Sequence, residues 1–388
     1  MALNILISGG GIAGPCLAFW LTRAGHTVTI VEQAARLRTG GQAVDFRGPS
    51  IQVLQKMGVL DRVRANATRM GPVIMVDEGG NEIARLPTEV FSGELEIFWG
   101  DLARILHDAI RDDVTVRFGV RVTALSESGG VQVDFSDGSA GAYDLVVGAD
   151  GLHSGVRALA FGSEERYVTQ LGQNFGFFDA ENYLRLDHCG MACQTPGRDV
   201  LVQATDPNSP ARAAFYLSDP DLVIDHRDTA AGKRIFAERF AGMGWEVPQL
   251  LTALAAADEV YFDSIAQVHL DAYARGRVCL VGDAAWCASP RSGMGTSLAV
   301  VGAYVLAHEL AANPQPAVAF DNYQRLLQPY VARCQKLAVD HLEITNPATA
   351  WGRWLRKTGI RMLRLPLVTK LVVRQSLAVG RSFTLPDY

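Results

Sequence analysis

The sequence predicts an α/β fold, in which a Rossmann-like nucleotide-binding domain is interrupted by an inserted β-sheet domain and followed by a C-terminal helix. Three observations predict it. A strand, a glycine cluster, a helix, a second strand and an acid follow one another from Ile5 to Glu32; two further buried strands ending in glycine-rich turns return far along the chain; and alternating, aromatic-rich segments lie between them.

The first stretch reads ILISGGGIAGPCLAFWLTRAGHTVTIVE. Asn4 to Ser8 is a buried strand, and Gly9, Gly11 and Gly14 carry the G-x-G-x-x-G spacing. Gly9 permits the tight turn, Gly11 lets backbone approach a pyrophosphate, and Gly14 allows helix to pack closely on strand. A helix from Ile12 to Ala24 then points its free N–H groups at the phosphates. Gly25 ends it, and the strand Thr27 to Val31 delivers Glu32, where a carboxylate accepts both hydroxyls of an adenosine ribose. A glutamate here disfavours a 2′-phosphate, so the resident nucleotide is expected to be FAD or NAD rather than NADP.

Beyond Glu32, helices are expected over Ser50–Met57 and Asp101–Arg111, and strands over Val73–Asp77 and Glu82–Leu86 around the turn DEGGN. Val114–Phe118, Arg121–Ser126, Val131–Phe135 and Tyr143–Gly148 read as further strands. Between about Gln170 and Gln267 the character changes, with Phe175–Phe178, Tyr183–Leu186, Val200–Ala204 and Ala213–Leu217 expected as strands of a sheet with one side lining a cavity. Helices near Ala230–Ala241 and Val247–Ala255 complete this part, and long helices follow at Gly295–Leu310 and Pro316–Ala338.

Composition narrows the possibilities. The 388 residues are 48% hydrophobic and carry a net charge of −5, which suits a globular protein and does not favour nucleic acid. Six cysteines without regular spacing suggest no disulfide framework, so a cytoplasmic, reducing location is expected. His188, Cys189 and Cys193 lack the second ligand pair of a zinc site. No basic region precedes the first strand, and no apolar run is long enough to suggest a membrane span. From Trp351 to Tyr388 there are eight Lys or Arg and one Asp. In Trp351–Arg374 they interleave with apolar residues, a pattern of a helix docked on an acidic body or, alternatively, of one lying on a membrane.

Two later stretches specify the chemistry. DLVVGADGLHSGVR (Asp144–Arg157) places Asp150 and Gly151 at a strand end, with Ser154 and Arg157 opening a helix. GRVCLVGDAAWCASPRSGMG (Gly276–Gly295) places Asp283 at another strand end and Pro290, Gly293, Met294 and Gly295 ahead of a helix whose dipole suits a group that becomes negative, as the N1–O2 edge of a flavin does on reduction. With all three stretches in view, the chain resembles the group A flavoprotein monooxygenases, the fold family of para-hydroxybenzoate hydroxylase. Within it, GGQAVDFRG (Gly40–Gly48), NYLRLDH (Asn182–His188), FDSIAQV (Phe262–Val268) and SPRSGMGTSLAVVGAYVLA (Ser289–Ala307) are most similar to the tetracycline destructases.

The resemblance implies a discontinuous FAD-binding domain (1–70, 98–170 and 268–340), a substrate domain (71–97 and 171–267) and a C-terminal helical segment (341–388). It implies Gly9, Gly11, Gly14 and Glu32 for the ADP half of FAD, Asp283 for the ribityl chain, Pro290 to Gly295 beside the isoalloxazine, Asp45 and Arg47 near the flavin, and Arg38 toward an incoming nicotinamide. Asp150 is divided between a cofactor role and helix capping. Two departures stand out: Trp99 occupies the place of a family arginine, and Trp286 replaces the histidine of G-D-A-A-H, adding a ring expected near the substrate side.

The mechanism so implied has NADPH or NADH reduce FAD, dioxygen form a flavin C4a-hydroperoxide, and the terminal oxygen pass to a phenol or enol carbon. No side chain is then obliged to be a nucleophile or general acid, so no catalytic residue and no metal is assigned. His153, His188 and His269 are read as structural or solvated. Phe175, Phe177, Asn182, Arg185, Gln203 and Phe215 are the candidates to line the cavity for an aromatic or polycyclic small molecule. A monomer away from membranes is expected. The alternatives are a hydroxylase of another aromatic polyketide or of a quinone precursor at a membrane, and a drug-sequestering flavoprotein without turnover. A flavin halogenase is disfavoured because W-x-W-x-I-P is absent and GWEVP (Gly244–Pro248) does not match it.

Overall fold

In a computed structural model, which describes residues 2–38, 40–88, 92–345 and 378–388, the chain builds two large sheets. The first has six strands in the order Ala274–Arg275, Val278–Leu280, Leu145–Gly148, Asn4–Ser8, Thr27–Glu32 and Thr115–Phe118. All its neighbours run parallel except the short edge strand Ala274–Arg275. Helices on both faces explain why these strands read as unbroken apolar runs: Leu145–Gly148 is buried throughout.

The strand order reverses beside Asn4–Ser8, which pairs with Thr27–Glu32 on one side and with Leu145–Gly148 on the other. Such a reversal opens a crevice at the carboxyl ends of the strands. Gly9 and Ala149 sit at that edge, their N–H groups donating to Val31 O (2.8 Å) and Ser8 O (2.7 Å). The helix Ala13–Arg23 leaves the crevice and packs against Gly295–Ala312, an 18-residue apolar helix buried along most of its length as the central helix of this core.

The second sheet has seven strands, ordered Val260–Val268, Val168–Ala180, Ala211–Ser218, Arg198–Ala204, Cys189–Thr195, Val73–Val76 and Glu82–Leu86. The early hairpin Val73–Leu86 thus joins strands more than a hundred residues downstream, Val73–Val76 pairing in parallel with Cys189–Thr195. Helices Thr229–Phe240 and Val247–Ala256 cover one face, burying Phe178, Phe215, Phe236, Phe240 and Phe262. Gly232 makes this close: a Cβ there would stand 2.5 Å from the Phe262 ring. The other face looks toward the first sheet.

Three expectations are corrected here. Tyr183–Leu186 is a loop rather than a strand, because the Asn182 side chain accepts from Leu186 N–H (2.9 Å) and donates to Leu186 O (2.9 Å), closing the chain on itself. Phe215 lies under the helices, its ring 4.8 Å from that of Phe240, on the face opposite the cleft. Trp286 is buried among Tyr273, Tyr323 and Gly302 rather than near a substrate, and its indole N–H has no hydrogen-bond partner among the described residues. The basic segment Trp351–Arg374 lies outside the described residues. The terminal residues pack back on the first core, where Tyr330 donates to Gly380 O (3.4 Å) and Tyr388 to Glu309 (2.8 Å).

Phe215→Ala should therefore cost about 3–5 kcal/mol of stability, as a large ring is lost from a packed core. Urea unfolding of the variant checks this; a residue lining the cleft would instead leave the transition midpoint nearly unchanged.

Candidate functional site

The glycines after the first strand are each constrained differently. Gly9 has φ +116°, and a Cβ there would sit 2.3 Å from Ala149 O; a Cβ on Gly14 would sit 2.0 Å from Gly9 O. Neither position admits a side chain. Around Gly11 the nearest atom to such a Cβ is Trp99 Cζ2, 3.6 Å away, so backbone there remains approachable. Glu32 braces the loop by accepting from Gly10 N–H and Ala34 N–H, both at 2.8 Å, and each carboxylate oxygen keeps lone-pair capacity for ribose hydroxyls. His107, which the sequence did not mark, holds the same loop through Gly10 O (2.6 Å). Arg38 is exposed and lines a groove of about 440 Å³ with Gln33, Ala34, Gly119, Arg121 and Ser136.

The second and third stretches meet at the same crevice. Asp150 accepts from Val156 N–H (3.0 Å) and from the Ser154 hydroxyl, so it caps the helix Gly155–Phe161. Burial raises its carboxyl above the usual range against those hydrogen bonds. Arg157, fully buried, donates to Ala284 O (3.0 Å) and Leu152 O (2.6 Å) and so ties the second stretch to the third. Asp283 is accessible to solvent yet enclosed by protein, and the resulting desolvation pushes its carboxyl up. An accessible side chain in enclosed surroundings marks the wall of a deep cleft.

Beside it, Ser289 (φ +78°) and Gly293 (φ +61°) bend the chain so that Pro290 is exposed while Met294 is buried, and Gly295 opens the long helix. Asp45 and Arg47 border this turn: a Cβ on Gly293 would lie 3.6 Å from Arg47 Nη2 and 3.8 Å from Asp45 Oδ2. Arg47 is anchored by its N–H to the Ser50 and Ser297 hydroxyls (3.1 Å each), and Asp45 accepts from Gly93 N–H (2.6 Å). Glu96 lies opposite Asp45 on the paired strand. Burial first, then the Asp45 charge, raises its carboxyl to about 7.

The second sheet supplies the facing wall. Phe175 and Phe177 share a face with Tyr216 and Tyr261, with ring centroids 5.0 Å apart for Phe175–Phe177 and 5.8 Å for Phe175–Tyr261. Arg291, from the third stretch, stacks on Tyr216 (4.1 Å) and donates through Nε to Gln173 (2.8 Å), joining the wall to the Pro290–Gly295 turn. Gln203 pairs across the strands with Arg212 on this same side, and Arg212 lies 4.0 Å from the Phe98 ring. Asn182 is a buried loop clamp, and Arg185 is exposed on that loop with φ +51°. Tyr216, Tyr261 and Arg212 were missed; their strand parity is the signal that finds them once the pairing is known, whereas Arg291 lies within the Pro290–Gly295 stretch and its contact with this wall comes from the short helix Pro290–Ser292.

Comparison with known proteins matches this geometry to a family. The FAD binding domain family model matches residues 2–343. An uncharacterized protein of Mycobacterium tuberculosis (strain ATCC 25618 / H37Rv) is 40% identical over 347 residues, covering 87% of this chain and 93% of that one. A flavin-dependent monooxygenase of Legionella longbeachae serogroup 1 is 36% identical over 343 residues, covering 87% and 88%. Among solved structures, the tetracycline destructase Tet(55) superposes with a TM-score of 0.87 at 35% identity, covering 100% of this chain and 99% of that one. HpxO of Klebsiella pneumoniae, solved with FAD and uric acid, shares the fold at 22% identity, with a TM-score of 0.77 and coverage of 99% and 98%.

Glu96 yields a pH prediction. Its folded pKa of about 7 exceeds the ordinary 4.5, so the folded state binds more protons between these values. Its contribution is fully favourable below about 4.5 and is lost as pH rises through about 7. Glu96→Gln should flatten that part of the stability profile and raise the melting temperature at pH 8 relative to wild type, measured by calorimetry from pH 4 to pH 8.

Proposed function

Because the chain belongs to the FAD binding domain family and is an FAD-dependent monooxygenase, we propose that it uses NAD(P)H and dioxygen to hydroxylate a phenolic or enolic polycyclic substrate, with tetracycline antibiotics the first compounds to test. The observation that carries this reading is the aromatic wall of Phe175, Phe177, Tyr216 and Tyr261 facing the turn Pro290–Gly295. Likeness to Tet(55) at 35% identity supports the choice of tetracyclines.

The residues present fit FAD. Open backbone at Gly11 and a carboxylate at Glu32 suit its ADP half, and the accessible Asp283 in an enclosed cleft suits the hydroxylated ribityl chain. Asp45, Arg47 and Pro290 to Gly295 would border the isoalloxazine, and Arg38 on its open groove would meet the nicotinamide nucleotide. When bound, FAD supplies reduction by the nicotinamide cofactor and activation of dioxygen.

The chain's own task is to orient and to exclude water. The rings of Phe177 and Tyr261, accessible members of the wall with Phe175 buried between them, favour a planar polycycle by stacking and remove water from around it. Arg291 stacks on Tyr216 from the cleft side and Gln173 fixes Arg291, so the wall is set before a substrate arrives. Free N–H groups at the start of Gly295–Ala312 stabilise negative charge in the cleft.

The test is NADPH oxidation by FAD-loaded protein under air, with and without tetracycline, following the drug's absorbance and the product mass. Stimulated oxidation with the mass gain of one oxygen is expected. Oxidation that no tetracycline stimulates, with every drug recovered intact, would remove tetracyclines and send the search to other phenolic polycycles.

A further inference from the structure

Along the cleft-facing side of the edge strand Val260–Val268, Tyr261 and Asp263 begin a continuous chain of four titratable groups that reaches the surface. Tyr261 Oη donates to Asp263 Oδ2 at 2.6 Å. Asp263 Oδ1 accepts from Ser264 N–H (2.7 Å) and stands 3.1 Å from His153 Nε2, whose Nδ1 is 2.9 Å from Glu164. A ring with a carboxylate at each nitrogen needs two N–H donors, which only the imidazolium has. Burial alone would lower the His153 pKa, but its bonds to Asp263 and Glu164 outweigh burial and raise it. His226 stacks on the ring (3.8 Å between centroids, 8° between planes), and burial together with the His153 charge lowers its pKa, so it stays neutral. Burial likewise works against the Asp263 charge, yet the bonds from His153 and Tyr261 prevail and keep it a carboxylate, an acceptor only.

This fixes the polarity of Tyr261. A phenol has one proton, and here it is committed to Asp263; toward the cleft the oxygen presents lone pairs alone. Tyr261 is 41% exposed, and burial in the cleft followed by the Asp263 charge pushes its own ionisation far up, so it keeps that proton. The other charges that reach Tyr261 are Arg38 and Asp283, of opposite sign; Asp225 and Arg227 flank His226, and Arg157 meets Glu164.

We propose that Tyr261 is a specificity-determining acceptor that binds a phenolic or enolic hydroxyl of the substrate in its neutral, protonated form, an inference that rests on the reading of the cleft given above. A substrate O–H placed there donates to Tyr261 Oη. An oxyanion placed there meets lone pairs, with the Asp263 carboxylate 2.6 Å from the phenol oxygen.

The test reads the ionisation of a bound phenol. 4-Nitrophenol, whose phenolate is coloured, is titrated with saturating FAD-loaded protein, and binding is measured separately by equilibrium dialysis. Bound probe is expected to be about tenfold less ionised than free probe at the same pH, one pKa unit. Tyr261→Phe should abolish the shift. Asp263→Asn should reverse it: Ser264 N–H and His153 both address Oδ1, so the asparagine carbonyl takes that place, its amide donates to Tyr261, and the phenol proton is released toward the cleft. FAD absorbance and melting temperature identify folded variants, and Tyr261→Phe decides alone where Asp263→Asn does not fold. Bound probe as ionised as free probe on wild type, an unchanged shift in Tyr261→Phe, or an unchanged shift in folded Asp263→Asn overturns the inference while leaving the cleft reading intact. Absence of binding by both 4-nitrophenol and tetracycline overturns the cleft reading and the inference with it.

Discussion

One buried guanidinium holds the cleft together. Arg157 has no solvent exposure, yet it reaches Ala284 O, Leu152 O and, at 3.5 Å, Glu164. These belong to the turn beside Asp283, the turn after Asp150 and the 3₁₀ helix that anchors His153. A buried cation is costly unless it is well bonded. Here its bonds fall on separate turns, so desolvating one charge fixes the relative positions of parts far apart in sequence. Truncating this side chain would leave two buried carbonyls without their donor and release the ends of two neighbouring strands at once.

From that joint the rest follows by close approach. Gly9 and Gly14 let strand and helix meet where no side chain would fit, and the strand reversal beside them opens the crevice. The seven-stranded sheet then works as a two-faced wall: Phe178, Phe215 and Phe262 seal the face under the helices, while Phe175, Phe177, Tyr216 and Tyr261 turn the alternate side chains toward the cleft. Arg291 and Asp263 reach across from opposite sides, each bonded to a partner from the other region.

How much of this was legible depended on range. Buried parallel strands are continuous apolar runs, and the glycine spacing carries its own stereochemistry, so the elements around Gly9, Gly148 and Gly295 could be read directly. Strand parity could not. In Ala211–Ser218 either aromatic could face the cavity, and only pairing with Val168–Ala180 turns Tyr216 outward and Phe215 into the core; a shift of one residue exchanges the faces. Tyr183–Leu186 has the composition of a strand, but the local bonds of Asn182 win over pairing that never forms. Trp286 was expected near the substrate because its motif lies there, yet the helical turn Asp283–Trp286 points it the other way, into a pocket made by Tyr273 and Tyr323. His153 looked unremarkable because its meaning resides in Asp263, 110 positions away.

These long-range partners matter because of where the difficult chemistry resides. When a bound cofactor activates oxygen, the protein needs no nucleophile, and a search for a catalytic constellation passes over the groups that count. What the chain sets, indirectly, is the charge of its own groups around the cleft. Asp283 and Glu96 are pushed toward their neutral forms by burial and, for Glu96, by a neighbouring carboxylate, whereas Asp263 is held ionised by an imidazolium. Three carboxyl groups near one cleft thus acquire different acidities from their surroundings alone. The group that touches a ligand need not be the group that titrates: a tyrosine can impose the polarity of a carboxylate–histidine pair beside it, and its own hydroxyl need never lose its proton.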